Sequence, residues 1–359
     1  MESITAIMEH LGGELTEVHG IPTPIRFARP RRTHSAVRQG VGVTRHPWGI
    51  LVVDGDDRHE FLDNTLTCRV PTEEGIVRYG FLLDPDGIIE TDLYVVETGD
   101  RYLCLTAPGT AASLASELGA RTFIQDVTVE NVTDAHVILG VHGPAIETKL
   151  AGVMPDGTPP ADELTMSRGV VREEGVTLVR LDAPTGEPGI IVICRQDDAS
   201  AVFDALVSLG AMAVPFGLEI WYALCLEAGT PLFETELAGR NPNECGQLTA
   251  GVSLDKGCFV GQEVVARIAN LTAPRDRLVG LLSEEPIEDG STVQTSLGRD
   301  GLVTRSAYSQ QLNTPVAMAV APASIEHGDS VSVDGIEAQI HQLPFIETSI
   351  RSGRVPTYD

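Results

Sequence analysis

The sequence predicts an α+β fold, and three observations carry that reading. Strands that pair as hairpins alternate with single helices through the first half of the chain. A second set of strands and helices follows a Pro/Gly/Asp-rich stretch, Met154 to Gly169. From about Arg277 to Leu343, short strands separated by Gly, Asp and Ser leave little helix signal, the pattern of a small β-barrel or sandwich. Neither a P-loop nor a dinucleotide glycine motif is present, which argues against a doubly wound nucleotide-binding sheet.

The elements follow in order. Ile4 to Leu11 reads as a short helix, and Ile21 to Gly42, rich in Pro, Arg and Gly, as an extended connection. Gly49 to Val53 is a strand. After the Asp54-Gly55 turn, Asp56 or Asp57 is placed to cap a helix through Asn64 with Phe61 and Leu62 inward. Tyr79 to Leu83 and Ile88 to Val96 are strands joined by Asp84-Pro85-Asp86-Gly87, whose residues favour a tight turn. Arg101 to Thr106 is a strand, Thr110 to Leu118 a helix, and Val127 to Val132 and Ala135 to Val141 are strands; Gly143-Pro144 opens a helix to Leu150. Strands at Val176 to Leu181 and Gly189 to Cys194 precede helices at Ala199 to Leu209 and Glu219 to Glu227.

A chain of 359 residues, 42% of them hydrophobic, is long enough for two or three packed domains. No apolar run reaches the roughly 18 residues that would span a bilayer, and the start lacks a basic region followed by an apolar segment. A cytoplasmic, soluble protein without membrane partners is the expectation. Acidic residues number 51 against 25 basic ones, a net charge of −26, and they are dispersed. That pattern suits a surface adapted to high salt, hence a halophilic source; a face for cationic partners is the alternative. It disfavours nucleic acid, whose phosphates need a basic surface. Arg26, Arg29, Arg31, Arg32, Arg38 and Arg45 cluster near the start and read as arginines of a solvated or interdomain loop. The six cysteines form no C-x-x-C pair, so neither zinc nor a disulfide framework is expected. Cys104, Cys194 and Cys225 read as small packed hydrophobes.

The densest chemistry lies in Lys256-Gly257-Cys258-Phe259-Val260-Gly261-Gln262-Glu263, which holds one of only two lysines, the other being Lys149. Gly257 and Gly261 permit a tight turn. Helical character from Gln262 to Ile268 would put Cys258 just before a helix N-terminus with Lys256 nearby, two features that favour thiolate below the free-thiol pKa of roughly 8.5. Glu263 and Arg267 have the i, i+4 spacing of an ion pair. The competing reading is a glycine-rich turn with a buried thiol.

This motif, continued by Val264-Val265-Ala266-Arg267, resembles the signature of YgfZ-type folate-binding proteins, which share a superfamily with the aminomethyltransferase (T-protein) of the glycine cleavage system. Leu226-Glu227-Ala228-Gly229 is similar to the superfamily's L-E-A-G segment, Val53 to Leu62 to its helix entry, Gly87 to Leu93 to its G-x-I-x-x-D-L strand, and Gly140 to Pro144 to its G-x-x-G-P turn. These matches fall in order over roughly residues 48 to 281.

The resemblance implies a three-domain cloverleaf around a central channel for a tetrahydrofolate. The domains expected are 1–48 with 143–275, then 49–142, then a C-terminal β-barrel at 276–345, with 346–359 as a tail. It also implies a one-carbon-transfer role for Asp92. Departures from the T-protein pattern put Ile191 where a pterin-holding glutamate is expected, and Trp221 and Cys225 where arginines are. Each lost charge-assisted hydrogen bond is worth about 1.5–3 kcal/mol. The strand Leu103 to Thr106 also lacks an asparagine often found there.

The leading functional expectation is therefore a folate-binding protein that supports iron–sulfur enzymes through Cys258, with Lys256 and Asp92 as the other catalytic candidates. Tyr79, Tyr94, Trp221, Gln262 and Glu263 join Asp92 as candidates for folate binding or loop ordering. The alternatives are a tetrahydrofolate-dependent aminomethyl- or methyltransferase acting on a small amine or a lipoyl carrier protein, and a noncatalytic folate-binding adaptor.

Overall fold

A computed structural model describes residues 2–122, 124–209, 212–271, 274–296 and 298–358. Residues 1 and 359, the outer limits of the expected first domain and of the expected tail, lie outside the described residues. Two β-sheets and a closed barrel share one core.

The five-stranded sheet runs in the order Val77–Leu83, Ile89–Glu97, Tyr102–Thr106, Gly49–Asp54, Thr128–Asn131, antiparallel throughout. The Asp84–Gly87 turn closes its first hairpin: the Asp84 carboxylate accepts from the backbone N–H of Asp86 and of Ile88, both at 2.9 Å. Side chains alternate across the pleat. Leu51, Val53, Leu82, Leu93 and Val95 pack under helices Arg58–Thr65 and Ala111–Arg121 through Phe61, Leu62, Leu114 and Leu118. Tyr79, Phe81, Tyr94 and Val96 join the shared core, and Asp92 falls on their face by alternation.

The six-stranded sheet runs Met166–Val171, Glu174–Arg180, Gly189–Arg195, His136–His142, Gly42–His46, Val214–Pro215, with only its last pair parallel. Helices Ile4–His10, Ile146–Ala151 and Ala199–Asp204 cover its outer face, against Leu139, Val141, Leu178 and Val192. Ile138, Val179, Ile191 and Ile193 point into the shared core. The barrel strands, Asp276–Ser283, Thr292–Gln294, Gly301–Ser309, Thr314–Pro322, Ser330–Val333 and Ile336–His341, close on themselves. Small residues such as Ala317 and Ala319 let that narrow interior close around Leu281, Val303 and Ile340. Helix Leu218–Glu227 is apolar on nearly every side and is buried accordingly. Among the described residues, no helix is long and apolar enough to cross a membrane.

Four local expectations need correction. The stretch 21–42 is no extended connection: it forms strand Ile21–Arg26, paired to Glu14–Val18, and helix Pro30–Gln39 with proline in its first turn. That helix buries Thr33, His34, Val37 and Arg38, a face too polar for hydrophobic periodicity to reveal. The same fact corrects the arginine cluster, because Arg38 and Arg45 are buried. Asp57 precedes helix Arg58–Thr65 without a side-chain cap; its carboxylate accepts instead from the Asp126 backbone N–H at 2.8 Å. Residues beyond 345 are no loose tail: Ser352, Arg354 and Val355 are buried.

Candidate functional site

Where the shared core meets solvent, a cavity opens. Its walls include Trp48, Tyr79, Tyr94, Trp221, Phe233 and His46, with Asp92, Glu234 and Arg354 as its charged groups. The two tryptophans it contains are the only two in the chain. His46 stacks on Trp48, ring centroids 4.5 Å apart, and meets the Trp221 ring edge-on at the same distance.

Asp92 is the chemical centre of this wall. Strand Ile89–Glu97 carries it opposite Phe81, and the neighbouring hairpin strand supplies Tyr79, whose hydroxyl donates to Asp92 Oδ2 at 2.7 Å. Burial raises the Asp92 pKa above the ordinary aspartate value; Arg354 and the Tyr79 hydrogen bond pull it back down, and Asp182 adds to the rise. Tyr94 donates to Asp182 Oδ1 at 2.6 Å. Arg354 sits between the two carboxylates: its Nη1 lies 3.8 Å from Asp92 Oδ2, and its Nε 3.3 Å from Asp182 Oδ2 without an aligned hydrogen bond. Its guanidinium carbon is 4.9 Å from the Tyr79 ring centroid and 5.7 Å from that of Tyr94, a cation–π distance for each. At the rim, burial raises the pKa of Glu234 while His19, 3.8 Å away, opposes the rise.

Behind Trp221, the inner face of the six-stranded sheet is mostly aliphatic. Ile191 lies there, paired with Gly140 and fully buried, so the position carries no carboxylate toward a ligand. The polar atoms on this face belong to Thr44, His46 and His142, and none has a hydrogen-bond partner. Gly140 is required here: a Cβ would stand 2.2 Å from His46 Nε2 and 2.7 Å from His142 Nε2. Burial keeps both rings neutral, holding His142 down at about 3 and His46 well below its ordinary value.

Tyr79, Tyr94, Trp221 and Asp92 thus meet at one cavity. The cysteine motif is elsewhere: among the described residues, Lys256, Cys258, Gln262 and Glu263 do not line the cavity. Cys258 is exposed, just before helix Gln262–Leu271. Lys256 is not turned to the thiol. Its ammonium donates to the carbonyls of Leu66 at 2.8 Å and Cys68 at 2.7 Å and pairs with Asp63 at 3.3 Å. A buried ammonium needs such acceptors; desolvation lowers its pKa against the pull of Asp63. Phe259 and Val265 enter the shared core, and Gly261 packs on the Asp84–Gly87 turn, where a Cβ would stand 2.7 Å from the Asp84 carbonyl oxygen. Most of the motif's contacts are therefore packing contacts.

Sequence reasoning missed Trp48, Asp182, Glu234 and Arg354. Trp48 follows a histidine and a proline beside a strand, a signal that aromatic content alone could have raised. Nothing local marks Arg354 within Arg351-Ser352-Gly353-Arg354.

A second polar cluster braces the site. Glu227 of the L-E-A-G segment accepts from His34 Nε2 and Arg38 Nη2, both at 2.8 Å, and from the Ser309 hydroxyl of the barrel at 2.7 Å. Burial alone would raise its pKa, yet the bonds from His34 and Arg38 bring it down from the ordinary 4.5 to about 2. A depressed folded-state pKa contributes stability that is complete above the unfolded value and is lost as pH falls toward the folded one. Urea midpoints should therefore drop between about pH 4.5 and 2. Glu227→Gln should remove that part of the acid sensitivity, and an unchanged acid profile in the variant would refute the assignment.

The cavity is therefore walled by aromatic rings and carries a buried, partly compensated carboxylate. The GCVT N-terminal domain model matches residues 4–256. An aminomethyltransferase from Saccharopolyspora erythraea is 30% identical over 354 residues, covering 94% of this chain and 96% of that protein. Another from Thermus thermophilus is 29% identical over 343 residues, covering 94% and 96%. A crystal structure of glycine cleavage system aminomethyltransferase T from Bartonella henselae superposes with a TM-score of 0.85 over 96% of this chain and 97% of that one, at 23% identity, which speaks to the fold. The chain belongs to the GCVT N-terminal domain family.

Proposed function

We propose that the protein binds a tetrahydrofolate in the cavity and transfers a one-carbon unit, aminomethyl or methyl, with Asp92 as the acid–base and electrostatic group. The observation that carries this reading is Asp92 itself, a buried carboxylate with a raised pKa on the wall of an aromatic cavity. Family membership and relatives named aminomethyltransferase support it. The expected iron–sulfur role rests on Cys258, which is outside this cavity, and no finding supports it; the transferase alternative is the better reading. On this proposal the two sheets and the barrel are the three leaves of a cloverleaf around the cavity, with the domain limits expected from the sequence, and the one-carbon donor is a small amine or a lipoyl-bound intermediate.

The residues fit the group. Trp48, Trp221 and Tyr94 offer faces for a flat heterocycle, and Asp92 and Arg354 an acceptor and a donor. A tetrahydrofolate supplies the nitrogens that carry the one-carbon unit. The chain supplies the rest. Tyr79 fixes the Asp92 carboxylate through its hydroxyl, burial raises the Asp92 proton affinity, and the aromatic walls keep water from the reacting atoms. As the carboxylate, Asp92 also stabilises positive charge that develops beside it.

Because both tryptophans line the cavity, intrinsic fluorescence reports directly on its occupancy. Titration with 5-formyl-tetrahydrofolate should quench it saturably, and Trp221→Leu should weaken binding about tenfold, as expected for one lost aromatic stacking partner. Absence of saturable quenching up to millimolar ligand would sink the folate reading.

A further inference from the structure

The chain segment beyond the barrel is sewn into the interior at many points. Ile350 N–H donates to Gly186 O at 3.0 Å, Gly353 N–H to Asp182 O at 2.9 Å and Thr357 N–H to Gly246 O at 3.0 Å. Gln247 Nε2 donates to Arg354 O at 2.8 Å, and Thr230 Oγ1 to Ser352 Oγ at 2.8 Å. Tyr358 accepts from Leu278 N–H of the barrel at 2.7 Å. This segment holds one side chain, Arg354, on the cavity wall between Asp92 of the five-stranded sheet and Asp182 of the connection between strands Glu174–Arg180 and Gly189–Arg195.

The two carboxylates are not equivalent. Asp182 has the shorter approach to the guanidinium, 3.3 Å against 3.8 Å, and the shorter tyrosine hydrogen bond, 2.6 Å against 2.7 Å. Asp92 lines the cavity and Asp182 does not, among the described residues. At Asp92 burial and the neighbouring Asp182 charge favour the proton, and the Arg354 guanidinium opposes it. We propose that Arg354 is a positioning residue that acts through Asp92: held beside Tyr79 on the cavity wall, its guanidinium sets how readily the carboxylate facing the ligand takes up a proton. This role rests on the folate-transferase reading only for what the proton is used for.

The groups facing Asp92 are Tyr79 and Tyr94 from its own sheet, Asp182 from the connection after strand Glu174–Arg180, Arg354 from the C-terminal segment, and Glu234 from the rim. Removing the cation, in Arg354→Gln, raises the proton affinity of Asp92. Removing the competitor, in Asp182→Asn, lets Arg354 attend to Asp92 alone and lowers it. The two substitutions therefore move any acid limb in opposite directions, which a merely structural role for the segment would not do.

The test has two arms. In the first, binding of 5-formyl-tetrahydrofolate is followed by tryptophan fluorescence from pH 5 to 9. Arg354→Gln should weaken binding about tenfold or more at pH 6 and recover in part by pH 8; Asp182→Asn should shift the limb the other way, and Arg354→Lys should restore most of the wild-type profile. The second arm needs no ligand. The gap in urea midpoint between wild type and Arg354→Gln should be widest at neutral pH, where the carboxylates are charged, and should narrow toward pH 4. Displacement of both variants in the same direction, together with a pH-independent gap in midpoint, would overturn the proposal. Failure of the wild type to bind the folate at every pH would remove the folate reading, and the denaturation arm would still decide on Arg354.

Discussion

Asp92→Asn should reduce folate-dependent one-carbon transfer by about 10²–10⁴-fold while leaving the melting transition close to that of the wild type. The amide keeps the shape and can still accept from the Tyr79 hydroxyl, now 2.7 Å from a carboxylate oxygen. It cannot take up a proton or stabilise positive charge. Binding should change far less than turnover, because the substitution removes an interaction made chiefly in the transition state. Cys258→Ala is the matched comparison. Its thiol is exposed and away from the cavity, so the variant should retain turnover within about twofold. Single-turnover assays with both variants decide between the chemistries: a dead Cys258→Ala and an active Asp92→Asn would return the function to the thiol.

Arg38→Ala should cost about 3–5 kcal/mol of stability, the usual penalty for stripping one partner from a buried ion pair. Arg38 bonds to Glu227 at 2.8 Å, Glu187 at 3.2 Å, and the carbonyls of Thr185 at 2.5 Å and Leu224 at 3.2 Å. No water can reach these groups to replace it. Arg38→Lys should recover only part of the loss, since a point charge cannot serve four acceptors spread around a planar fork. Arg101, half exposed beside Asp100, is the contrast: Arg101→Ala should cost under about 1 kcal/mol. Urea midpoints for the three variants test the ordering, and a loss from Arg38→Ala no larger than that from Arg101→Ala would refute it.

What could be read from the sequence had local causes. The Asp84–Gly87 turn, the strands it joins and the helix after Gly217 are specified by adjacent residues, and their limits in the structure lie within a few positions of those expected. The closed barrel was legible as a class, from glycine-spaced short strands, though not in its strand order, which long-range pairing sets. Helix Pro30–Gln39 was hidden because its buried face is made of His34 and Arg38, whose partner Glu227 lies far along the chain. The site divided in the same way. Asp92 and its aromatic neighbours share one hairpin, so a single strand motif found them. Lys256 misled because a lysine beside a cysteine reads as an activator, whereas its ammonium is spent on the carbonyls of Leu66 and Cys68.

The stitched C-terminal segment also imposes an order on biosynthesis. A ribosome makes Asp92 and Asp182 long before Arg354, so the two carboxylates must wait through the translation of the entire barrel for their common cation. Until then the nascent chain keeps that wall hydrated or protonated, and the cavity lacks a side. The wall around Asp92 is therefore complete only after the barrel has been made. A message that stops just after the last barrel strand, which ends at His341, yields a chain with Asp92 and without the Arg354 side of the cavity.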